Sequence, residues 1–171
     1  MNIDSKFGKD ILKETGVFTV PNDYNDDTWL DDFRNKTCDL ESTQYFNPNL
    51  RSENFANLKN KLVPGKTYGL KLFRILEKAS TQECLMFLKE NKAILVGPRG
   101  LTLLQSYQPE IFIIWKCTAS FDEKNLLDQQ DNTYGVPFIL RLSGNEWNFN
   151  LSSIEDNWQS LTVLICFHEL E

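Results

Sequence analysis

Apolar and polar positions alternate most clearly over TYGLKLFRIL (67–76). Tyr68, Leu70 and Leu72 face one way, Thr67, Gly69 and Lys71 the other, and the segment then turns apolar on both sides. That pattern predicts a strand running from a wet edge into a buried region. Ser80 and Glu83 follow with the spacing of a capping box, the serine accepting from a backbone N–H and the glutamate reaching back. They predict a helix over 81–91 that buries Cys84, Leu85 and Leu88, and 67–96 reads as strand–helix–strand. IFIIWKC (111–117) and LTVLICF (161–167) are apolar on both faces, as central strands covered on two sides are.

Two hairpins are predicted. In VPFILRLSGNEWNFNL (136–151), a turn at Gly144-Asn145 pairs Leu142 with Trp147, Leu140 with Phe149 and Phe138 with Leu151, and leaves Ile139, Arg141, Asn148 and Asn150 on the other face. In NKAILVGPRGLTLLQ (91–105), GPRG is read as a turn with Pro98 at its second position and Gly100 left-handed, so that Leu95 faces Leu103 and Ile94 faces Leu104. The competing reading is a phosphate cradle. That needs glycines leading into a helix, and LTLLQ reads as too short and apolar to begin one and lacks the Lys-Ser/Thr of a P-loop. Arg99 is expected at the exposed tip.

Helical spacing predicts the other elements. Ser5 caps a helix over 6–15 with Phe7 and Ile11 on one face and Gly16 as its stop. Asp26 and Asp27 precede a second helix that carries Trp29, Leu30 and Phe33, with Arg34 and Lys36 last, an order that suits the helix dipole. Residues 37–65, rich in Asn, Ser and Pro, read as loop with one turn around Phe55 and Leu58. Ser120 and Glu123 open a helix over 120–129, and Ser152 or Ser153 starts a turn stacking Ile154 on Trp158. The sum is one α+β domain over 1–171: a mostly antiparallel sheet of about seven strands, with three or four short helices packed on one side. Residues 1–65 form its helix- and loop-rich part and 66–171 its sheet-forming core.

A chain of 171 residues is long enough for a real core, and its 41% apolar and 25% charged content is that of a globular protein. No secretory pattern opens it, and no apolar run nears the roughly 20 residues of a membrane span. Cys38, Cys84, Cys117 and Cys166 lie 46, 33 and 49 residues apart without a CxxC pair, so they read as free thiols in a reducing cytosol. The net charge of −6 divides as −5 over 1–50, +5 over 51–110 and −6 over 111–171. The basic third is scattered rather than clustered with aromatics, which argues against nucleic acid.

Catalytic patterns are thin. His168 is the lone histidine, and HELE lacks the second histidine of a zinc-protease helix. Cys166 shares its strand face, but its apolar setting disfavours a thiolate. DQQDNTYG (128–135) lacks the acids of a calcium loop. Asp122 and Glu123 are adjacent carboxylates, better explained as first-turn residues than as a glycosidase pair. No catalytic residue, metal site or cofactor is assigned. Arg99, Asp122 and Glu123 are the candidate binding residues. The expected function is a non-enzymatic interaction protein (an accessory, inhibitor or immunity-type factor) whose partner is another protein rather than nucleic acid or membrane. The alternative is a small enzyme with a dispersed site, drawing on Arg99, Asp122, Glu123, Cys166 or His168.

Overall fold

The computed structural model describes residues 3–12, 16–56, 60–122, 126–127, 134–153 and 155–170. Its strands are β1 (Phe7–Asp10), β2 (Gly16–Thr19), β3 (Thr43–Phe46), β4 (Thr67–Ile75), β5 (Ala79–Ser80), β6 (Cys117–Ser120), β7 (Leu126–Leu127), β8 (Tyr134–Arg141), β9 (Trp147–Ser153), β10 (Asn157–Trp158) and β11 (Thr162–His168). Its helices are α1 (Trp29–Thr37), α2 (Thr81–Glu90), α3 (Gly97–Tyr107) and the single turn α4 (Glu110–Ile113). The expected α+β architecture is what the chain forms. A nine-stranded sheet runs β1-β4-β11-β6-β8-β9-β3, with β2 also on β4 and β7 also on β8, while β5 and β10 make a separate ribbon. Its pairings are antiparallel except β11 with β6 and β9 with β3.

The apolar run in β11 follows from its central place, because both faces are covered. Val163, Ile165 and Phe167 join Tyr68, Leu70 and Leu72 of β4 in a core under α1, α3 and α4; Leu164 and Cys166 join Phe73 and Ile75 in a second core under α2. Alternation along the strands thus sorts residues between two cores. α2 is encoded locally. Ser80 Oγ accepts from Glu83 N, Glu83 Oε2 accepts from Ser80 N at 2.9 Å, and Cys84, Phe87 and Leu88 are buried.

Elsewhere tertiary structure overrides local pattern. Residues 6–15 do not form the expected helix. A 3-10 turn ends at Lys6, and β1 takes the free edge of β4, where Phe7 stacks on Phe87 with ring centroids 4.1 Å apart. Asp10 then bulges the pairing, its Oδ1 accepting from Leu72 N and Leu12 N. The expected loop over 37–65 contains β3, which adds to β9, and a 3-10 turn over Ser52–Phe55; Leu58 lies outside the described residues. IFIIWKC is not a central strand. Its first residues form α4, and β6 begins only at Cys117. The helix expected over 120–129 is absent from its described positions, since Ser120 closes β6 and Leu126–Leu127 form β7. Ser152 and Ser153 belong to β9, Trp158 packs against Phe121 and Phe138, and Ile154 is outside the described residues.

The β8–β9 hairpin forms with its register one residue away from expectation. Its loop is Ser143–Asn145 with Gly144 at φ +73°, Leu142 N bonds Glu146 O, and Arg141 pairs with Trp147. Three loop residues rather than two place Ile139, not Leu140, opposite Phe149. Both faces of this ribbon carry apolar side chains, so the slip costs little burial: Ile139, Trp147 and Phe149 enter the first core and Val136 the second.

Candidate functional site

GPRG does not turn a hairpin; it starts α3. Ile94 bridges to Phe167 on β11, and Gly97, at φ +51°, swings the chain into the helix with Pro98 in its first turn. A Cβ on Gly97 would lie 2.9 Å from Asp122 Oδ2, so the carboxylate of Asp122 packs on the N-terminal end of α3, where the helix dipole favours an anion. Gly100 serves close packing rather than a left-handed turn. A Cβ there would meet Val96 Cγ2 at 2.1 Å and Phe167 Cε2 at 2.6 Å.

Arg99 is interior, not a hairpin tip: 2% of it is exposed. Its Nε donates to the Asp26 carbonyl at 2.7 Å and lies 3.3 Å from Asp26 Oδ2; its Nη1 donates to the Phe55 carbonyl at 2.7 Å. Tyr24 donates to Asp26 Oδ1 at 2.7 Å, and burial, helped by that bond, raises the tyrosine's pKa. Trp29 Nε1 donates to Thr102 Oγ1, whose own hydroxyl reaches back to Pro98 O. These bonds join α3 to the lead-in of α1 and to the Ser52–Phe55 turn. Beside them is a cleft of about 290 Å³ lined by Asp27, Asp31, Ser52, Glu53, Ala56 and Arg99. Ser52 and Asp31 exchange bonds across it, and Lys61 pairs with Asp27 at 3.1 Å. Its polar groups bond mainly to one another, as in a structural joint.

The residues selected for chemistry therefore do not converge. Arg99 bonds Asp26 and Phe55, Asp122 packs on Gly97, and Glu123 lies outside the described residues, as does most of DQQDNTYG. Cys166 points at the Lys71 carbonyl, and burial pushes its thiol up to about 12. Burial likewise raises Cys84 to about 12 and Cys117 to about 11. His168 lies over Gly69, where a Cβ would come within 2.1 Å of its ring, and its Nδ1 is 2.9 Å from the Glu169 carbonyl. Among the described residues no cluster of His, Cys, Asp and Glu is placed to hold a metal, and no helix is long and apolar enough to cross a membrane.

A different surface gathers anchoring side chains. Pro109 and Glu110 begin α4, and Phe112 plugs the core at 1% exposure. Helical rotation then sends Ile113 and Ile114 outward, leaving them 46% and 74% exposed. The chain continues through Trp115 and Lys116 alongside the end of β8. Arg141 N bonds Lys116 O at 2.8 Å, and its Nη1 donates to the Ile113 carbonyl. The result is a groove of about 450 Å³ lined by Ile114, Trp115, Lys116, Arg141, Leu142 and Ser143. A comparable hollow beside β1 mixes Lys9 and Lys71 with Asp4 and Asp10 and so has no dominant sign. The groove residues were not singled out in the sequence. Pro109-Glu110 ahead of an apolar run was the available signal for a helix start.

Fold and surfaces together define an α+β protein with a mixed sheet, an internal ionic joint and an apolar, basic groove. No known protein family, curated protein or solved structure matches the chain.

Proposed function

We propose that this is a non-enzymatic interaction protein that docks another protein, in the manner of a small accessory, inhibitor or immunity-type factor. The observation carrying this reading is the outward pair Ile113 and Ile114 at the end of α4, next to Trp115 and Arg141. Burying an isoleucine side chain contributes about 1.5–3 kcal/mol, which α4 leaves ungained at Ile114. Tryptophan and arginine are the residue types that most often anchor protein interfaces. Four free thiols, Cys38, Cys84, Cys117 and Cys166, support a reducing compartment, the cytosol, as its place of action.

The test is quantitative capture from the native source with wild-type, Ile114→Asp and Met86→Asp proteins, followed by titration with the purified captured protein. Met86 is 41% exposed on α2 and serves as the control. The expected outcome is a partner whose affinity falls at least about tenfold with Ile114→Asp and not with Met86→Asp. Equal affinity for all three proteins would exclude this surface.

A further inference from the structure

We infer that the groove between α4 and the β8–β9 loop seats an acidic segment of the partner protein. One apolar side chain of that segment enters between Ile114, Trp115 and Leu142, and its carboxylates face Lys116 and Arg141. The inference rests on the docking reading above and adds the chemistry of the occupant.

Three observations carry it. Among the described residues, the groove's lining includes two cations and no carboxylate. Residues 111–171 hold three cations against nine acids, and two of those cations, Lys116 and Arg141, line this one groove. Lys116 is also exposed, and no carboxylate among the described residues lies within ion-pair distance of it. Of the cations in the middle third, Arg99 is interior, Lys61 pairs with Asp27, and Lys66 pairs with Glu169 at 2.8 Å.

The physical consequence is directional. An acidic segment is repelled by the net charge of −6 and attracted where Lys116 stands, so charge bears on where it lands as well as on how tightly it binds. Arg141 is held from two sides, by its backbone bond to Lys116 and its side-chain bond to the Ile113 carbonyl, so the groove wall is formed before any partner arrives. A volume of about 450 Å³ fits one or two anchoring side chains rather than a broad interface. Nucleic acid is the other polyanion to weigh. Its sites string several cations along a backbone with repeated stacking aromatics, whereas this groove offers two cations beside Ile114, Leu142 and a single tryptophan.

Fluorescence anisotropy with the full chain tests the inference. The probes are a labelled short peptide with one central leucine flanked by aspartates and glutamates, its serine-for-leucine version, a lysine-flanked counterpart and an oligothymidine. The proteins are wild type, Lys116→Glu, Ile114→Asp and Lys9→Glu, each checked for an unchanged urea midpoint. Expected is saturable binding of the acidic leucine peptide, weakened about tenfold or more by Lys116→Glu, by Ile114→Asp and by the serine replacement, and unchanged by Lys9→Glu. Equal binding of the lysine-flanked peptide, insensitivity to Lys116→Glu, tighter binding of oligothymidine, or no saturable binding of the acidic peptide each overturns the inference. In any of those cases an Ile114-dependent partner in the capture experiment keeps the docking reading standing, and its absence removes both.

Discussion

Two arginines reach main-chain carbonyls in this protein and do opposite work. Arg99 lies inside the joint between α1, α3 and the Ser52–Phe55 turn, its charge facing Asp26 and its nitrogens bonded to the carbonyls of Asp26 and Phe55. Arg141 sits at a rim, bonded to the Ile113 carbonyl and facing a groove open to solvent. The first arginine is enclosed on all sides and holds elements together. The second shapes a surface that carries little of the fold. Position in the packing, not residue type, separates them, and the difference is measurable as stability on one side and affinity on the other.

The largest effect is expected at the enclosed arginine. Arg99→Ala should destabilise by about 3–5 kcal/mol, because Asp26 loses its buried cation and two carbonyls lose their donors. Urea unfolding checks this, and a loss under about 1 kcal/mol would return Arg99 to the solvent-exposed role its sequence context suggests. Trp147→Ala belongs in the same range, about 3–5 kcal/mol, since the ring is 9% exposed in the first core. Gly100→Ala comes next at about 1–3 kcal/mol, from overlap with Val96 and Phe167 rather than from φ. A neutral result there would mean that α3 stands farther from β11.

Alkaline pH sharpens the same contrast between inside and outside. The folded-state values of about 12 for Cys84 and Cys166 and about 11 for Cys117 exceed the unfolded thiol value of about 8.5. The native state therefore holds protons that the unfolded chain releases, and the stabilising term is present below about pH 8.5 and lost as pH climbs toward 11–12. Urea midpoints should fall across that window, and Cys84→Ala should flatten the decline. Alkylation of the native protein near neutral pH should modify half-exposed Cys38 first, with all four thiols reacting in urea; mass spectrometry reads the order. The smallest effect is at the groove, where Ile114→Asp should change stability by no more than about 0.5 kcal/mol, since its side chain is already in water.

What was legible in the sequence follows from where information is local. The capping box of α2, the alternation of β4 and the doubly apolar β11 each state their own environment within a few residues, and each forms as read. α3 does not. From Gly97 to Leu104 every residue is buried, so the helix has no polar stripe there to reveal its period, and its two glycines imitate a turn while serving Asp122 and Phe167 instead. The Gly144 turn was legible but its length was not, and one residue decides which face each side chain takes. α4 is too short to show periodicity at all. For the same reason Arg99 and Asp122 stood out as candidate ligand residues and proved interior, while Trp115, Lys116 and Arg141 meet only because α4 ends beside β8.

The place of β11 also bears on how the protein is made. This strand lies between β4 and β6, yet it leaves the ribosome after both. Until Thr162–His168 emerges, the flanks of β4 and β6 that it will occupy remain open, with Leu70, Leu72 and Phe73 of β4 already synthesised and without the neighbours they will keep. Between the synthesis of β4 and that of β11 the nascent chain lacks the middle of its sheet, an interval in which chaperones, or another chain's strand, compete for the same edge.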